Sequence, residues 1–257
     1  MSPVPRPPEV RVLRNSEAAC EVALGELRAL AAGPARALVS FATGATFTPM
    51  LQWLHGEVVA GRIPLDRLLA THLDEYEGYA PHQPGSMVHE LCTACPSLET
   101  MLRHGSFLPV PTTGDPDSLA AHEARIQQLG GVALQYLGIG RNGHLAFHEP
   151  GVPFDRGLHV AELSATTRDD AVGRFQPAPV PARAVTSGVA TILAARRLVL
   201  CAFGRGKAAA VRAMLEGEIG PACPASAVRL HGNALVLLDR EAASLLTTSR
   251  QAEATAR

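Results

Sequence analysis

Short apolar runs of strand length alternate with longer amphipathic stretches along most of the chain. The apolar runs predict buried β-strands, and they cover residues 37–42, 68–73, 132–139, 198–203 and 234–238. The stretches between them predict helices, which cover residues 16–32, 86–105, 116–129, 187–195 and 207–215 and also begin at residues 49–56 and at residue 240. Ser16 is the predicted N-cap of the first helix. This alternation is typical of an α/β fold, in which helices cover both faces of a mostly parallel sheet.

The chain of 257 residues shows no internal repeat and no domain boundary, which favours a single domain over residues 9–247. Four prolines among the first eight residues predict a loose N-terminal arm at residues 1–8. Residues 248–257 are interpreted as a C-terminal tail.

A polar cluster follows directly after each of four apolar runs. The clusters lie at residues 43–46, 74–76, 140–149 and 204–207. In open parallel sheets, ligands bind beyond the carboxyl ends of the strands. The shared position of the four clusters therefore predicts that they converge on one crevice.

The segment from Gly138 to Gly151 combines a glycine-rich turn with ionisable side chains. Its glycines let the backbone turn tightly and approach a ligand. His144 lies on this turn, where an imidazole can act as an acid or a base near neutral pH, and Asn142 and Glu149 are candidates to orient it. The competing interpretation is a turn after a strand that contains a buried, hydrogen-bonded histidine.

Asp74 and Glu75 place two carboxylates at the end of a predicted strand. Because side chains alternate along a strand, one carboxylate is expected to face the crevice and the other to face the scaffold. A carboxylate base beside a carbonyl-bearing substrate can move a proton between adjacent carbons. The competing interpretation is a helix N-cap or a surface carboxylate.

The cluster at residues 43–46 suits a phosphate group. Thr43, Gly44, Ala45 and Thr46 offer small side chains, backbone amides and hydroxyls, without the ending of a Walker A loop. Lys207 opens a predicted helix and can add positive charge, although a lysine at such a position is often only solvated.

Two arginines in the segment from residue 167 to residue 175 are further candidates to bind an anion. Arg168 and Arg174 are six residues apart and need not share a helix face. One of them is therefore expected to bind and the other to be structural.

The histidine and cysteine spacings do not predict a metal site. Two zinc-ligating histidines that are four residues apart normally lie on one face of a helix. The segment with His144 and His148 begins instead in a glycine-rich turn and ends at Pro150, so it does not fit that pattern. Cys92 and Cys95 form one CxxC without the second pair of a zinc ribbon, and we interpret them as two small thiols on a helix.

Composition and charge narrow the possible functions. The formal net charge of −1 gives no electrostatic basis for binding nucleic acid or an anionic membrane surface. No apolar run is long enough to span a bilayer, and residues 1–10 lack an apolar signal core. Five cysteines do not indicate a disulfide framework in a chain of this length, so a cytoplasmic location is expected.

Residues 138–151 resemble the GxGxxGHxAFxEPG signature of glucosamine-6-phosphate deaminases. Other segments similar to that family follow in the family's order: ATG with a threonine at 42–46, LDEY at 73–76, TR and RF at 167–175, TSGVATIL at 186–193, a GxxKA turn at 204–208 and PASAVRLH at 224–231. The resemblance covers roughly residues 37–240 and implies a Rossmann-like α/β fold. It also implies a reaction on an amino-sugar phosphate that needs no metal, and no cofactor is expected.

The resemblance implies a role for each matched residue. His144 would exchange a proton with the sugar ring oxygen during ring opening, with Asn142 and Glu149 assisting. Asp74 would take the proton from C2 and return it at C1, and ammonia would leave to give fructose 6-phosphate. The phosphate contacts of the family map to Gly44, Ala45, Thr46, Arg174 and Lys207.

Several positions depart from the family pattern. Many members carry aspartate at the position of Asn142, asparagine at that of His148, proline at that of Phe47, and glycine or serine at that of Ala45. These changes are expected to affect the sugar and phosphate pocket.

A further departure concerns regulation. Members activated by an effector carry basic residues shortly after the EPG segment, where this chain has His159 and Ala161. We therefore predict weak or absent activation by N-acetylglucosamine 6-phosphate.

Three other functions remain open at this point. A deaminase for galactosamine 6-phosphate would differ from one for glucosamine 6-phosphate only in its contact to the one hydroxyl that distinguishes the two sugars. A 6-phosphogluconolactonase shares the fold and a GxGxxGH segment, and a non-catalytic sugar-phosphate-binding protein would keep the pocket without turnover. A homo-oligomer is possible, but the sequence does not specify it.

Overall fold

A seven-stranded parallel sheet forms the centre of the computed structural model, which describes residues 7–247. The strands of the chain are β1 (Glu9–Leu13), β2 (Ala37–Phe41), β3 (Leu68–His72), β4 (Asp74–Tyr76), β5 (Phe107–Leu108), β6 (Val132–Leu137), β7 (His159–Glu162), β8 (Arg183–Thr186), β9 (Leu198–Ala202) and β10 (Ala234–Asp239). The order across the central sheet is β1-β10-β9-β6-β2-β3-β5. Every residue of β2 and β9 is buried, as expected for central strands of a parallel sheet covered on both faces.

The helices that connect these strands are α1 (Ser16–Ala31), α2 (Thr48–Val59), α3 (Met87–Ala94), α4 (Pro96–Arg103), α5 (Pro116–Gln128), α6 (Ala165–Phe175), α7 (Val189–Leu193) and α8 (Ala208–Glu216). Short 3₁₀ turns lie at Leu65–Arg67, Arg205–Lys207 and Pro224–Leu230. The predicted α/β fold with a mostly parallel sheet is confirmed.

A second, antiparallel sheet of three strands, in the order β4-β8-β7, was not predicted. The predicted strand at 68–73 ends at His72, and the chain enters this second sheet at Asp74. β7 is only four residues long and is mostly exposed or half-buried, so its hydrophobic pattern is too weak to read from sequence. A separate apolar cluster that contains Tyr76, Phe147 and Phe175 packs this sheet against α6.

Three predicted helix boundaries are wrong for local reasons. Asn15, rather than Ser16, caps α1, because its side chain accepts a hydrogen bond from the Ala18 amide at 3.0 Å. The predicted helix at 86–105 is two helices, because Pro96 cannot donate a backbone hydrogen bond and disfavours helical backbone at the residue before it. The residues after Asp239 form turns instead of a helix.

The chain ends fall partly outside the described residues. β1 begins at Glu9 and pairs with β10. The domain boundaries at residues 9 and 247 remain a prediction. Residues 1–6 of the predicted arm and the predicted tail at 248–257 lie outside the described range. No helix within residues 7–247 is both long and apolar enough to cross a membrane.

Candidate active site

The polar clusters meet in a crevice of about 460 Å³ beyond the carboxyl ends of β2, β6 and β9. Eight of the ten predicted site residues line it: Thr43, Gly44, Ala45, Thr46, Asp74, His144, Arg174 and Lys207. The other two, Asn142 and Glu149, contact each other beside the turn that carries His144. A second cavity, of about 530 Å³, lies between α5 and the sheet, and none of the ten predicted site residues lines it. We therefore assign the chemistry to the crevice beyond the strand ends.

Gly140 makes room for the imidazole of His144. A Cβ atom at position 140 would lie 2.4–2.5 Å from three atoms of that ring, so the ring can pack over this backbone only because the residue is glycine. The Gly140 N–H donates to the His144 carbonyl at 3.0 Å, and the Gly143 N–H donates to the Gly140 carbonyl at 3.0 Å. The side chain of His144 is held in this turn and remains 16% exposed, at the wall of the crevice.

A hydrogen-bond network links the imidazole to α6. Nδ1 of His144 lies 3.2 Å from Oγ1 of Thr167, and this hydroxyl donates a short hydrogen bond to the Glu149 carboxylate. Glu149 also accepts from Nδ2 of Asn142 at 2.8 Å and from the Ser164 backbone N–H at 3.2 Å. Oδ1 of Asn142 accepts from the backbone N–H of His144 at 3.1 Å. Asn142 therefore hydrogen-bonds to the backbone of the turn and to Glu149, whereas Thr167 hydrogen-bonds to the imidazole ring itself.

These contacts assign the tautomer of His144. The single hydroxyl proton of Thr167 goes to Glu149, so the hydroxyl oxygen is left to accept a proton from Nδ1–H of the imidazole. Burial lowers the pKa of His144, Glu149 and Asp170 oppose the shift, and Lys207 adds to it. The ring is therefore neutral near pH 7, and Nε2 is the nitrogen that can take up a proton.

The two carboxylates of β4 face different surroundings, as the alternation along a strand predicts. Asp74 lines the crevice, whereas Glu75 accepts hydrogen bonds from Ser86 Oγ and from the Met87 and Val88 amides at the start of α3. Burial raises the pKa of Asp74 to about 7, and the nearby charge of Glu75 adds to the effect. A carboxyl group that titrates near pH 7 is suited to accept a proton and return it.

The loop after β2 brings small residues to the crevice directly before α2. Gly44 adopts a φ of 90°, which glycine tolerates, and its carbonyl accepts from the Phe47 amide at 2.9 Å and from the Thr48 amide at 3.2 Å. The loop therefore lies at the amino end of α2, where the helix dipole favours an anion.

Two cationic side chains line the same crevice. Arg174 donates to the Tyr76 hydroxyl at 3.1 Å and forms an ion pair with Glu90. Burial lowers the pKa of Lys207, which ends the 3₁₀ turn at 205–207. Of the two arginines on α6, Arg174 lines the crevice and Arg168 does not, as expected if one binds and the other is structural.

Sequence reasoning missed the parts played by Thr167 and Glu90. Thr167 and Arg174 are seven residues apart on α6, which is two helical turns, so both reach the crevice from one face together with Asp170. That spacing inside the TR and RF segment was the available signal. Glu90 lies on α3, outside every motif identified in the sequence.

Residues 14–237 match the family model described as glucosamine-6-phosphate isomerases/6-phosphogluconolactonase. The chain belongs to this family. A glucosamine-6-phosphate deaminase of Exiguobacterium sibiricum is 40% identical over 193 residues, which cover 72% of this chain and 73% of the relative. A solved structure of a monomeric glucosamine-6-phosphate deaminase superposes with a TM-score of 0.83 at 32% identity, covering 92% of this chain and 99% of the other. A 6-phosphogluconolactonase from Trypanosoma cruzi shares the fold, with a TM-score of 0.74 at 20% identity over 96% of this chain and 100% of the other.

Two departures from the pattern of the glucosamine-6-phosphate isomerase family lie outside the crevice, contrary to the sequence-based expectation. Phe47 is 1% exposed and packs edge-on against Tyr136 in the core, with ring centroids 5.8 Å apart. His148 is fully buried; its Nε2 lies 3.1 Å from the Val152 carbonyl, and its Nδ1 accepts from the Val189 N–H at 3.3 Å. Both are scaffold residues, whereas Ala45 does line the crevice. The part of the chain from residue 7 to residue 247 contains no group of three metal-ligating side chains that could hold an ion.

Proposed function

We propose that the chain converts glucosamine 6-phosphate and water to fructose 6-phosphate and ammonia. The observation that carries the proposal is the arrangement of the crevice, where a carboxyl group with a pKa of about 7, a neutral imidazole and a set of anion-binding groups line one space. The E. sibiricum relative and the solved monomeric structure are both glucosamine-6-phosphate deaminases, which supports this reaction.

The phosphate group would bind at the amino end of α2. Backbone amides of Gly44, Ala45 and Thr46 supply donors, and the side chains of Arg174 and Lys207 supply positive charge. Binding energy from this remote group orients C1 and C2 of the sugar against the reacting side chains.

Ring opening would use His144. The neutral Nε2 takes the proton from the anomeric hydroxyl, and the imidazolium then gives that proton to the ring oxygen as the C1–O bond to the ring breaks. Thr167 and Glu149 would hold the ring in the tautomer that this step requires and would stabilise the imidazolium.

Isomerisation would use Asp74. Its carboxylate removes the proton from C2 of the open aldose while the ammonium group gives one proton to the C1 oxygen, which becomes a hydroxyl. Asp74 then returns its proton to C1, which leaves an iminium group at C2. Water adds to this iminium carbon, ammonia leaves, and the ketose remains. A carboxyl group with a pKa of about 7 is suited to both parts of this transfer, because near neutral pH its ionised form can take the proton from C2 and its protonated form can give it to C1.

Ammonia release from purified protein with glucosamine 6-phosphate tests the proposal directly. We expect turnover in the wild type, loss of turnover in Asp74→Asn, and retained turnover in Asp66→Asn, whose side chain is exposed on a 3₁₀ turn. Galactosamine 6-phosphate, assayed in parallel, separates the two epimers. Folded wild-type protein that releases no ammonia from either sugar would contradict the proposal, and hydrolysis of 6-phosphogluconolactone would then be measured.

We further propose that the reaction belongs to the breakdown of amino sugars in the cytoplasm. All five cysteines are unpaired thiols within residues 7–247, which is the state that a reducing compartment maintains. Burial raises the pKa of each thiol, which keeps the cysteines in their unreactive form.

A further inference from the structure

A carboxylate of the chain already occupies donors that the phosphate would need. Oε1 of Glu90 accepts from the backbone N–H of Gly44 at 2.5 Å, and Oε2 lies 2.5 Å from Nη2 of Arg174. These two donors come from different elements, the loop after β2 and helix α6, and both line the crevice. Glu90 bridges them from α3.

The pair is neither fully buried nor freely solvated. The side chains of Arg174 and Glu90 are 24% and 25% exposed. At this depth an opposite charge is attracted more strongly than in bulk water, and a second anion brought to the same donors is repelled more strongly. The single N–H of Gly44 cannot serve a phosphate dianion and the Glu90 carboxylate at once, and both anions would draw on the same guanidinium charge.

We propose that Glu90 acts as a resident competitor for the phosphate site. Its carboxylate holds Gly44 and Arg174, and binding of the phosphate of the substrate displaces it. Glu90 thereby lowers the affinity for the phosphate group, because any anion that takes these donors must first displace the carboxylate. This inference rests on the proposed function, because it takes the Gly44 and Arg174 donors to be the phosphate site.

Binding of inorganic phosphate, measured by isothermal titration calorimetry, tests the inference without any turnover. Glu90→Gln removes the negative charge, and its carboxamide oxygen can still accept from the Gly44 N–H, so the loop keeps a partner. We expect phosphate to bind about tenfold more tightly to Glu90→Gln than to the wild type, because a repulsion between like charges is removed. The KM for glucosamine 6-phosphate should fall in parallel, with kcat changed less than about threefold.

The matched control is Glu99→Gln, which removes a carboxylate from an arginine pair on the surface of α4. Its phosphate affinity should equal that of the wild type. Unfolding temperatures of all three proteins show whether each is folded. A purely structural role for Glu90, as an anchor for Arg174, would weaken phosphate binding and raise KM in Glu90→Gln, and that result would overturn the inference.

The outcomes separate this inference from the proposed function. Tighter phosphate binding in Glu90→Gln, together with no ammonia release from any protein, would support the inference about Glu90 and contradict the deaminase reaction. Normal ammonia release with equal phosphate affinity in the wild type and Glu90→Gln would contradict the inference and leave the reaction in place. Failure of phosphate to bind to either protein would also overturn it.

Discussion

The hydroxyl of Thr167 lies 3.2 Å from Nδ1 of His144 and donates to Glu149 at the same time. One side chain on α6 thereby sets both the tautomer and the orientation of an imidazole on the turn after β6. A hydroxyl in this position can serve a neutral histidine and an imidazolium equally, since its oxygen accepts from Nδ1–H in both states. The network requires no charge on Asn142, which bonds to Glu149 and to the His144 backbone.

Thr167→Val should lower kcat by about 10- to 100-fold, because valine keeps the shape of the side chain but cannot hold the ring through a hydrogen bond. KM should change little, since Thr167 orients the imidazole instead of carrying the phosphate. The measurement is steady-state ammonia release by the variant and by Thr166→Val, a matched control on the same helix turn. A kcat within twofold of the wild type in Thr167→Val would show that the hydroxyl does not orient His144.

The raised pKa of Asp74 predicts the pH dependence of the reaction. Only the ionised carboxylate can take the proton from C2, so kcat/KM should rise with pH through about 7 and then level off. The second ionisation of a sugar phosphate, with a pKa of about 6, lies close to this value and must be separated from it. A plot of kcat/KM against pH, fitted beside the phosphate titration followed by phosphorus NMR, distinguishes them. A rise that coincides with the substrate titration would remove the assignment to Asp74.

Ionisation of Asp74 should also make the protein less stable as the pH rises toward about 7. Its pKa is about 7 in the folded chain, against 3.8 for an unperturbed aspartate, so the folded state binds the extra proton between these values, and stability falls as pH rises through that window. The full cost above pH 7 is on the order of 4 kcal/mol, at about 1.4 kcal/mol for each pH unit between the two pKa values.

Asp74→Asn removes this cost because asparagine is neutral at every pH. The variant should therefore be more stable than the wild type, and the difference in free energy of unfolding should grow by about 2–3 kcal/mol between pH 5 and pH 8. Urea titrations at both pH values measure it. Equal differences at the two pH values would show that the burial of Asp74 does not oppose its ionisation.

The packing of His144 against Gly140 gives a prediction about the backbone. Gly140→Ala would place a methyl group 2.4–2.5 Å from the imidazole, so the ring must leave its contact with Thr167. We expect kcat to fall by about 100-fold or more. Gly173→Ala on α6 is the control, because a Cβ atom there meets nothing within 4 Å. Activity in Gly140→Ala close to that of the control would mean that the ring is not held against this turn.

The sequence predicted five of the seven central strands, β2, β3, β6, β9 and β10, because they are almost entirely buried. It missed β1, which is mostly half-buried, and β5, which has only two residues. Continuous apolar runs such as β2 and β9 are distinct from the amphipathic stretches around them, and the polar clusters after them share one edge of the sheet. The sheet that contains β7 and β8 was not predicted, because these strands have four residues each and most of β7 is half-buried or exposed.

The same reasoning explains which site residues could be found. Asp74 and His144 follow apolar strands and belong to recognisable motifs, so their place in the site could be predicted from the sequence. Thr167 and Glu90 act through contacts between α6, α3 and loops that are 23 and 46 residues distant in sequence, and no local pattern encodes such contacts. Phe47 and His148 were expected in the pocket because they differ from the family pattern, yet both are buried in the scaffold.

His159 and Ala161 on β7 bear on regulation. The Nδ1 atom of His159 lies 2.9 Å from the Gly157 carbonyl, its ring meets that of His148 at 5.5 Å between centroids, and burial lowers its pKa. The imidazole is therefore neutral near pH 7, and Ala161 is 5% exposed within the small sheet. Neither position offers the positive charge that would attract the phosphate of an effector.

We therefore expect N-acetylglucosamine 6-phosphate to leave the dependence of rate on glucosamine 6-phosphate concentration unchanged. The measurement compares full rate curves with the effector and with unphosphorylated N-acetylglucosamine as the blank, both at concentrations too low to compete for the crevice. A leftward shift that requires the phosphate would show that a cationic site exists outside β7. Competitive inhibition at higher concentration would instead be consistent with the prediction, because the same phosphate would then be binding to Gly44, Arg174 and Lys207 in the crevice.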